Sequence, residues 1–288
     1  MKKFHQLNIS EISSLIESKK VTSLELSKLS LMRILSYDKY LNSFICVNEK
    51  EVLKRAKFLD HEINEGKYRG LLHGVPISIK DAFDMLGMPT TVGSKVFLNS
   101  FPSKNSTVVK KLLNAGSIIL GKNETTEFCF GGPSSDSAFL PAKNPWDIDR
   151  WTGGSSGGGA AAVSSQLCFG AIGTDTGGSV RLPAAWCGIV GFMPTPGSIS
   201  RAGVFELSNS LDSVGVLTKS ILDATILTNI ISNKNNLLSL PNVQYGKKIV
   251  IAYNLFKHAD DNITFIYDDI YYQLEKNGFY LKKINEFD

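Results

Sequence analysis

Histidine is scarce in this sequence, with four among 288 residues, and none of the four lies in a motif that suggests a site. The four cysteines show no CxxC or zinc-type spacing, and three of them have apolar neighbours, as is typical of reduced, buried thiols. The carboxylates are scattered without the spacing of metal ligands. We therefore expect no metal, no organic cofactor and no histidine acting as a base.

Long hydrophobic runs and long basic tracts are also missing. The first residues lack the apolar run of a signal peptide, and no stretch reaches the roughly 18 apolar residues of a membrane span. The net charge is +4, from 31 Lys and Arg against 27 Asp and Glu, and the basic residues occur as scattered pairs. These features predict a cytoplasmic chain with no membrane association and no direct contact with nucleic acid.

The apolar content is high enough for a large core, since 43% of the residues are hydrophobic. Segments with strand character alternate with helical segments along most of the chain. This alternation predicts an α/β fold with a largely parallel or mixed central sheet flanked by helices on both faces. We divide the chain into an N-terminal helical segment packed on the core (1–70), a core that carries the chemistry (71–232) and a continuation of the α/β core (233–288).

Local patterns place several elements. Thr22 to Glu25 forms a capping box that opens a helix, and Ser106 caps another. Val75 to Lys80 alternates apolar and polar residues, which predicts a strand. We also expect Asn123 to open a helix.

Three glycine-containing segments carry the chemistry: Gly74 to Asp81, Gly153 to Gly159, and Gly173 to Arg181. A phosphate-binding loop requires a lysine after the glycines, and neither glycine run has one. The GxSxG turn of α/β-hydrolases does not fit around Ser179, because Val180 and Arg181 follow it.

The third segment is well suited to acyl transfer. A Thr-Gly-Gly-Ser turn at a strand end can present consecutive backbone N–H groups to one point, because glycine accepts the required dihedral angles. Such donors would form an oxyanion hole beside the Ser179 hydroxyl, and each is typically worth about 3 kcal/mol in the transition state. This serine still needs a base, and Lys80 is the remaining candidate.

A lysine base must lose its charge. Neutralising a lysine of ordinary pKa at pH 7 costs about 4.6 kcal/mol, and burial without a paired carboxylate can supply part of that shift. Asp81 is adjacent to Lys80, but successive residues of a strand point to opposite faces. We therefore expect a buried Lys80 and a structural Asp81.

Together the three segments resemble the amidase signature family over roughly residues 72–224, including Ala184 to Gly191 and Ser210 to Gly215. The resemblance implies a C-terminally truncated amidase signature fold with a Ser–cis-Ser–Lys triad. It gives Ser179 as the nucleophile, Ser155 as the proton relay after a cis peptide bond, and Lys80 as the base. It further implies an oxyanion hole formed by the backbone N–H groups of Thr176, Gly177, Gly178 and Ser179. The residues implied to support this turn are Asp175, Arg181 and Ser156.

The resemblance leaves three functions open. The leading expectation is hydrolysis of a small-molecule amide through an acyl-serine intermediate, because Thr174 and Leu182 are more typical of general amidases. The second is a glutaminase-type A subunit of a tRNA-dependent amidotransferase, which works with partner subunits. The third is a non-catalytic remnant, since family members normally continue well beyond the equivalent of Asp288. The oligomeric state stays open.

Overall fold

The computed structural model describes residues 3–134, 136–233, 248–252 and 259–284. The chain divides into two compact units, Met1–Leu238 and Ser239–Asp288. The first unit contains both the N-terminal helical segment and all the candidate site residues, so these two parts share one folded body. Within the described part of the chain, no helix is long and apolar enough to cross a membrane.

The α-helices of the first unit are α1 (Ile9–Glu17), α2 (Ser23–Arg33), α3 (Lys39–Leu41), α4 (Glu49–Asn64), α5 (Thr107–Asn114), α6 (Gly157–Ser164), α7 (Arg181–Trp186) and α8 (Ile221–Ile231). A π-helical turn over Ile34–Asp38 joins α2 to α3, and short 3₁₀ turns cover Phe4–Gln6, Lys95–Phe97 and Glu127–Cys129.

The main sheet has six strands in the order β1-β3-β2-β6-β8-β7. These strands are β1 (Phe44–Val47), β2 (Pro76–Lys80), β3 (Ile118–Asn123), β6 (Gly170–Asp175), β7 (Val190–Phe192) and β8 (Ser213–Thr218), and a separate hairpin joins β4 (Lys143–Asn144) to β5 (Asp147–Trp151). Strand β2 runs parallel to β3 and β6, whereas β1, β8 and β7 pair antiparallel with their neighbours. The prediction of a mixed α/β sheet is confirmed.

The second unit contains a small α/β element. Its strands β9 (Lys248–Ala252) and β10 (Tyr280–Ile284) are parallel, and α9 (Asp261–Lys276) connects them.

Helices cover both faces of the main sheet. Ile119 of β3 packs into one buried apolar cluster with Ile77 and Ile79, whereas its neighbours Ile118 and Leu120 pack into a second cluster. Because alternate residues of a strand point to opposite faces, the two clusters lie on opposite sides of the sheet. Both faces are therefore buried, which explains the apolar character of the central strands.

The capping predictions are confirmed and one helix prediction is wrong. The Thr22 hydroxyl accepts a hydrogen bond from the Glu25 N–H (3.1 Å), and the Glu25 carboxylate accepts one from the Thr22 N–H (2.8 Å). Ser106 likewise accepts a bond from the Val109 N–H. Asn123, however, ends β3 and opens no α-helix, because its amide donates to the Ser43 carbonyl across the sheet edge.

Candidate active site

Lys80 is the last residue of β2 and lies at the carboxyl end of the central parallel strands. Its side chain is almost fully buried, with 1% exposed. The Nζ atom donates hydrogen bonds to Ser155 Oγ and to Thr174 Oγ1, both at 2.7 Å. The first of these bonds joins two residues that the sequence analysis assigned to one site.

Burial lowers the pKa of Lys80, because the charged amine loses its hydration. Interaction with the Cys129 side chain, which includes a hydrogen bond, and the negative charges of Glu124 and Asp175 act in the opposite direction and raise it. Among the described residues, no carboxylate lies within ion-pair distance of the amine. The setting therefore favours a neutral amine, as a base requires.

Asp81 faces away from Lys80, as the strand alternation predicts. Its carboxylate pairs with Lys122 Nζ at 2.9 Å, and both side chains are completely buried. It also accepts hydrogen bonds from the N–H and hydroxyl of Thr91. Asp81 is thus fully engaged in holding the loop after β2 against β3, and it leaves Lys80 without a paired acid.

Ser155 and Ser156 lie on the turn that enters α6. The Gly154–Ser155 peptide bond is cis, and both serines are buried. Ser156 is the residue before α6, where its hydroxyl donates to the Thr174 carbonyl (3.2 Å) and its N–H donates to the Ser179 carbonyl (3.0 Å). Ser156 therefore ties the second glycine segment to the third.

The third segment is held by Asp175, which ends β6. Its buried carboxylate accepts hydrogen bonds from the N–H groups of Gly178, Val180 and Arg181, and from the Arg181 guanidinium at 2.8 and 3.0 Å. Burial alone raises the pKa of Asp175, but these bonds outweigh it and bring the pKa below its usual value. Asp175 is thus an ionised anchor for the turn.

The proposed oxyanion donors do not all fit this geometry. The Gly178 N–H donates to Asp175 Oδ1 at 2.8 Å, so it is occupied and helps to hold the turn instead. Among the described residues, the N–H groups of Gly177 and Ser179 have no acceptor, and they remain available. The Thr176 hydroxyl donates to Asp212 (2.5 Å), which fixes the start of the turn.

Ser179 is half-buried at the end of this turn, and its carbonyl bond to Ser156 holds it beside the Ser155 segment. A cavity of about 80 Å³ lies next to Thr174 and is lined also by Arg201, Glu206 and Asp212. In the described ranges, no group of three or more His, Cys, Asp or Glu side chains could hold a metal ion.

Four neighbours of Lys80 and Asp81 were not found by sequence reasoning. They are Thr174, whose hydroxyl accepts a hydrogen bond from the Lys80 amine, Lys122, which pairs with Asp81, and the buried Cys129 and Glu124, which act on the pKa of the amine. Their only signal in the sequence is polarity at strand ends, as in Gly121-Lys122-Asn123-Glu124 after an apolar run. That signal does not say which way each side chain points.

A buried lysine bonded to a serine on a glycine-rich turn, within a mixed α/β fold, is typical of hydrolases that use lysine as the base. The family model described as Amidase matches residues 25–285 of this chain. The chain belongs to this amidase family, whose members act on carbon–nitrogen bonds of amides, and the resemblance drawn from the three motifs is confirmed.

Individual relatives show which members of this family the chain resembles. The A subunit of glutamyl-tRNA(Gln) amidotransferase from Prochlorococcus marinus (strain NATL2A) is 40% identical over 265 residues, which cover 88% of this chain and 54% of that protein. A solved amidase superposes with a TM-score of 0.88 at 31% identity, over 96% of this chain and 63% of the other. The same type of amidotransferase A subunit from Thermotoga maritima gives 0.83 at 34% identity, over 99% and 62%. The chain spans about half the length of the curated relatives it matches.

Proposed function

We propose that this chain carries the amide-hydrolysing site of an amidotransferase A subunit, in which Ser179 is acylated by glutamine and ammonia is released. The observation that carries the hydrolytic part is the 2.7 Å hydrogen bond between the buried Lys80 amine and Ser155. The choice of glutamine is supported by the relatives at about 40% identity, which are amidotransferase A subunits. This choice replaces the leading expectation of a general amidase, which was based on Thr174 and Leu182. Two positions weigh less than 40% identity over an alignment of 265 residues.

The proposed reaction begins with a proton relay. Neutral Lys80 accepts the proton of the Ser155 hydroxyl, and Ser155 takes the proton of Ser179 as its oxygen attacks the amide carbonyl. Thr174 holds the amine from its other side, so that Nζ stays oriented towards Ser155. Proton transfer back along the same path to the leaving nitrogen then releases ammonia, and water hydrolyses the acyl-serine.

The developing oxyanion needs donors that are already in place. The N–H groups of Gly177 and Ser179 fill this role in our proposal, with that of Thr176 beside them. Gly178 and Arg181 serve instead to bind Asp175 and keep the turn rigid. Preorganised donors stabilise charge without reorganisation during the reaction, which is why a rigid turn matters for the rate.

Partner subunits belong to the proposal as well. Ammonia released at Ser179 would pass to a partner that uses it, as the names of the amidotransferase relatives imply for those proteins. No metal and no organic cofactor enter the proposed chemistry.

A second candidate is a free amidase acting on another small amide. It is supported by structural neighbours that are amidases, including the peptide amidase of Stenotrophomonas maltophilia, with a TM-score of 0.84 at 26% identity. The two candidates share the acylation step and differ in substrate and partner. They are therefore separated by substrate tests.

A fluorophosphonate probe tests the acylation step directly. We expect labelling of Ser179 in the folded chain and none in Ser179→Ala, while Ser198→Ala, a control on a turn outside the three glycine segments, should label as the parent does. Ammonia release from glutamine, compared with asparagine and simple carboxamides, then tests the substrate. A folded preparation without labelling would favour the non-catalytic remnant, and a preference for simple carboxamides would favour the free amidase.

A further inference from the structure

His73 is a completely buried histidine to which the proposed mechanism gives no role. It belongs to residues 65–75, which we call the connector and which lead from α4 into β2, the strand that ends at Lys80. The connector up to Leu71 is exposed or half-buried, whereas Leu72 and His73 have no exposed surface. His73 is therefore a polar side chain by which the connector is anchored in the core.

Both ring nitrogens of His73 lie against main-chain groups. The Arg69 N–H donates to Nδ1 at 3.2 Å, and Nε2 lies 2.9 Å from the Leu59 carbonyl oxygen of α4. A carbonyl oxygen can only accept a hydrogen bond and an amide N–H can only donate one, so Nε2 carries a proton and Nδ1 carries none. The two contacts together require the neutral ring with its proton on Nε2.

A second proton on the ring would break this arrangement. It would sit on Nδ1 and point at the Arg69 N–H, so that two donors would face each other inside the core and one hydrogen bond would be lost. Burial acts in the same direction, because it lowers the pKa of His73 below the ordinary value of 6.5. The charged ring is therefore disfavoured for as long as the connector stays in place.

The charged groups around His73 already have partners. Glu62 and Asp60 of α4 act to raise the pKa of His73, and Arg69 of the connector acts to lower it. The Glu62 carboxylate accepts two hydrogen bonds from the Arg69 guanidinium, at 2.6 and 2.5 Å. The Asp60 carboxylate accepts hydrogen bonds from two N–H groups at the start of α2, at 2.6 and 3.0 Å. Neither acid is thus placed to bind a protonated ring.

The other neighbours of His73 are uncharged. The Tyr68 ring lies 5.7 Å from the imidazole, measured between ring centroids, and its hydroxyl bonds to Ser13 of α1. The turn between α5 and β3 packs against His73 through Gly116, where an added Cβ atom would lie 2.9 Å from the His73 Cα. Residues 115–117 of that turn include no acid or base. The described surroundings of the ring therefore favour only its neutral form.

We propose that His73 is an acid-sensitive lock on the connector. With a neutral ring, it ties the connector to α4 and holds the entry into β2 in the core. A proton taken up from solvent forces the ring away from the Arg69 N–H, and the connector separates locally from α4. No covalent bond changes. His73 acts in this way whether or not Ser179 is acylated, so the lock is independent of the proposed hydrolase function.

The open connector gains population as the pH falls. In the open state the ring is solvated and takes up a proton near its ordinary pKa of 6.5, whereas in the closed state its pKa is lower. The closed state therefore has its full stability above pH 6.5 and loses stability as the pH falls below that value. From about pH 7.5 to about pH 5.5, the open fraction should rise about tenfold.

Hydrogen exchange of the connector amides tests the lock. The probes are the Arg69 N–H, which bonds to the His73 ring, and the N–H groups of His73 and Gly74, which bond to main-chain carbonyls. After correction for the intrinsic exchange rate, we expect their protection to fall about tenfold from about pH 7.5 to about pH 5.5. The amides of β2 should exchange more slowly at both pH values. Equal rates would mean that the connector opens only with the whole fold, which contradicts a local lock.

His73→Gln is the matched variant, because glutamine offers one donor and one acceptor, as the neutral ring does, and cannot take up a proton. We expect its connector amides to have the same protection at both pH values. His61→Gln is the control, since His61 is exposed on α4 and its replacement should leave the tenfold change intact. Unchanged protection in the parent, or an equal loss in His73→Gln, would overturn the inference.

A second measurement needs no variant. In protein labelled with ¹⁵N at histidine, correlations of the ring nitrogens report which of them carries a proton, and His73 is assigned by its proximity to the Tyr68 ring. In the folded chain, its ring should keep the neutral Nε2–H form below pH 6.5. A ring that becomes charged while the Arg69 amide stays protected would show that protonation does not release the connector, and the inference would fail.

Discussion

At the scale of single residues, the site depends on the different partners of two neighbouring side chains, Lys80 and Asp81. Both are buried, but Asp81 forms an ion pair with Lys122, whereas the Lys80 amine donates hydrogen bonds to the hydroxyls of Ser155 and Thr174 and has no ion-pair partner among the described residues. An isolated buried charge is expensive, so the unpaired amine gains most by losing its proton. The Asp81–Lys122 pair therefore prevents Asp81 from serving as a counterion to the proposed base.

Replacement of Lys80 by arginine should abolish most of the fluorophosphonate labelling. Arginine keeps a positive charge at all accessible pH values and cannot accept the proton of Ser155. We expect the labelling rate to fall by about 10²- to 10⁴-fold, the usual contribution of a general base. Circular dichroism and a urea unfolding curve check that the variant is folded; a folded variant that labels at the parental rate would contradict the role of Lys80.

Removal of one partner of the buried ion pair should destabilise the protein strongly. Lys122→Met leaves the Asp81 carboxylate buried without its cation, and we expect a loss of about 3–5 kcal/mol in the free energy of unfolding. The double variant Asp81→Asn, Lys122→Met should recover much of this loss, because no charge is left unpaired. Denaturant unfolding of the four species measures the coupling, and strictly additive effects would show that the pair is not coupled.

At the scale of elements, the site is assembled where several strands end. Lys80 ends β2, Asp175 ends β6, and the Ser155 turn precedes α6, so each functional group sits at the boundary of a rigid element. The loops between them are bound to one another by the Ser156 N–H and by the Asp175 carboxylate. Rigid elements hold the reacting groups in place more accurately than free loops could.

The pairing of β1 with β3 depends on the absence of a side chain at Gly121. A Cβ atom there would lie 2.1 Å from the Cys46 carbonyl oxygen, which belongs to the backbone and cannot rotate away. We expect Gly121→Ala to lower the free energy of unfolding by about 1–3 kcal/mol through displacement of β1. Gly132→Ala is the control, because its Cβ would meet nothing within 4 Å, and equal stability of the two variants would contradict the prediction.

At the scale of the whole molecule, the buried titratable groups make folding depend on pH. The folded-state pKa of Glu124, about 8, lies above its unfolded value, so the folded chain holds this proton more tightly. Stability from this group is present at acid pH and is lost as the pH rises through the interval that ends near 8.

The variant Glu124→Gln should not lose folding stability in this pH interval. Relative to the parent, its urea midpoint should be higher at about pH 8.5 than at about pH 5, because only the parent has a buried carboxyl to ionise. The exposed Glu51→Gln provides a charge-matched control whose difference from the parent should change little with pH. A Glu124→Gln difference that is the same at both pH values would mean that the carboxyl ionises normally in the folded chain.

Much of the fold could be predicted because it follows from local patterns. The capping box at Thr22, the alternation in β2 and the apolar stripe of α5 each fit a single regular structure. The helix predicted after Asn123 failed because that polar residue completes a sheet edge instead of capping a helix. Its side chain bonds to Ser43, 80 residues earlier in the chain, and such a contact leaves no local signal.

The sequence by itself determined the family, the three motifs and the separation of Lys80 from Asp81, because residue order and strand alternation are local properties. Only the tertiary structure decided that Thr174 holds the amine, that Lys122 pairs with Asp81 and that the Gly178 N–H is already occupied. These contacts depend on the order and register in which β3, β2 and β6 pair, and on the path of the turns after them. Register and path are set by the packing of the whole core, which no single segment encodes.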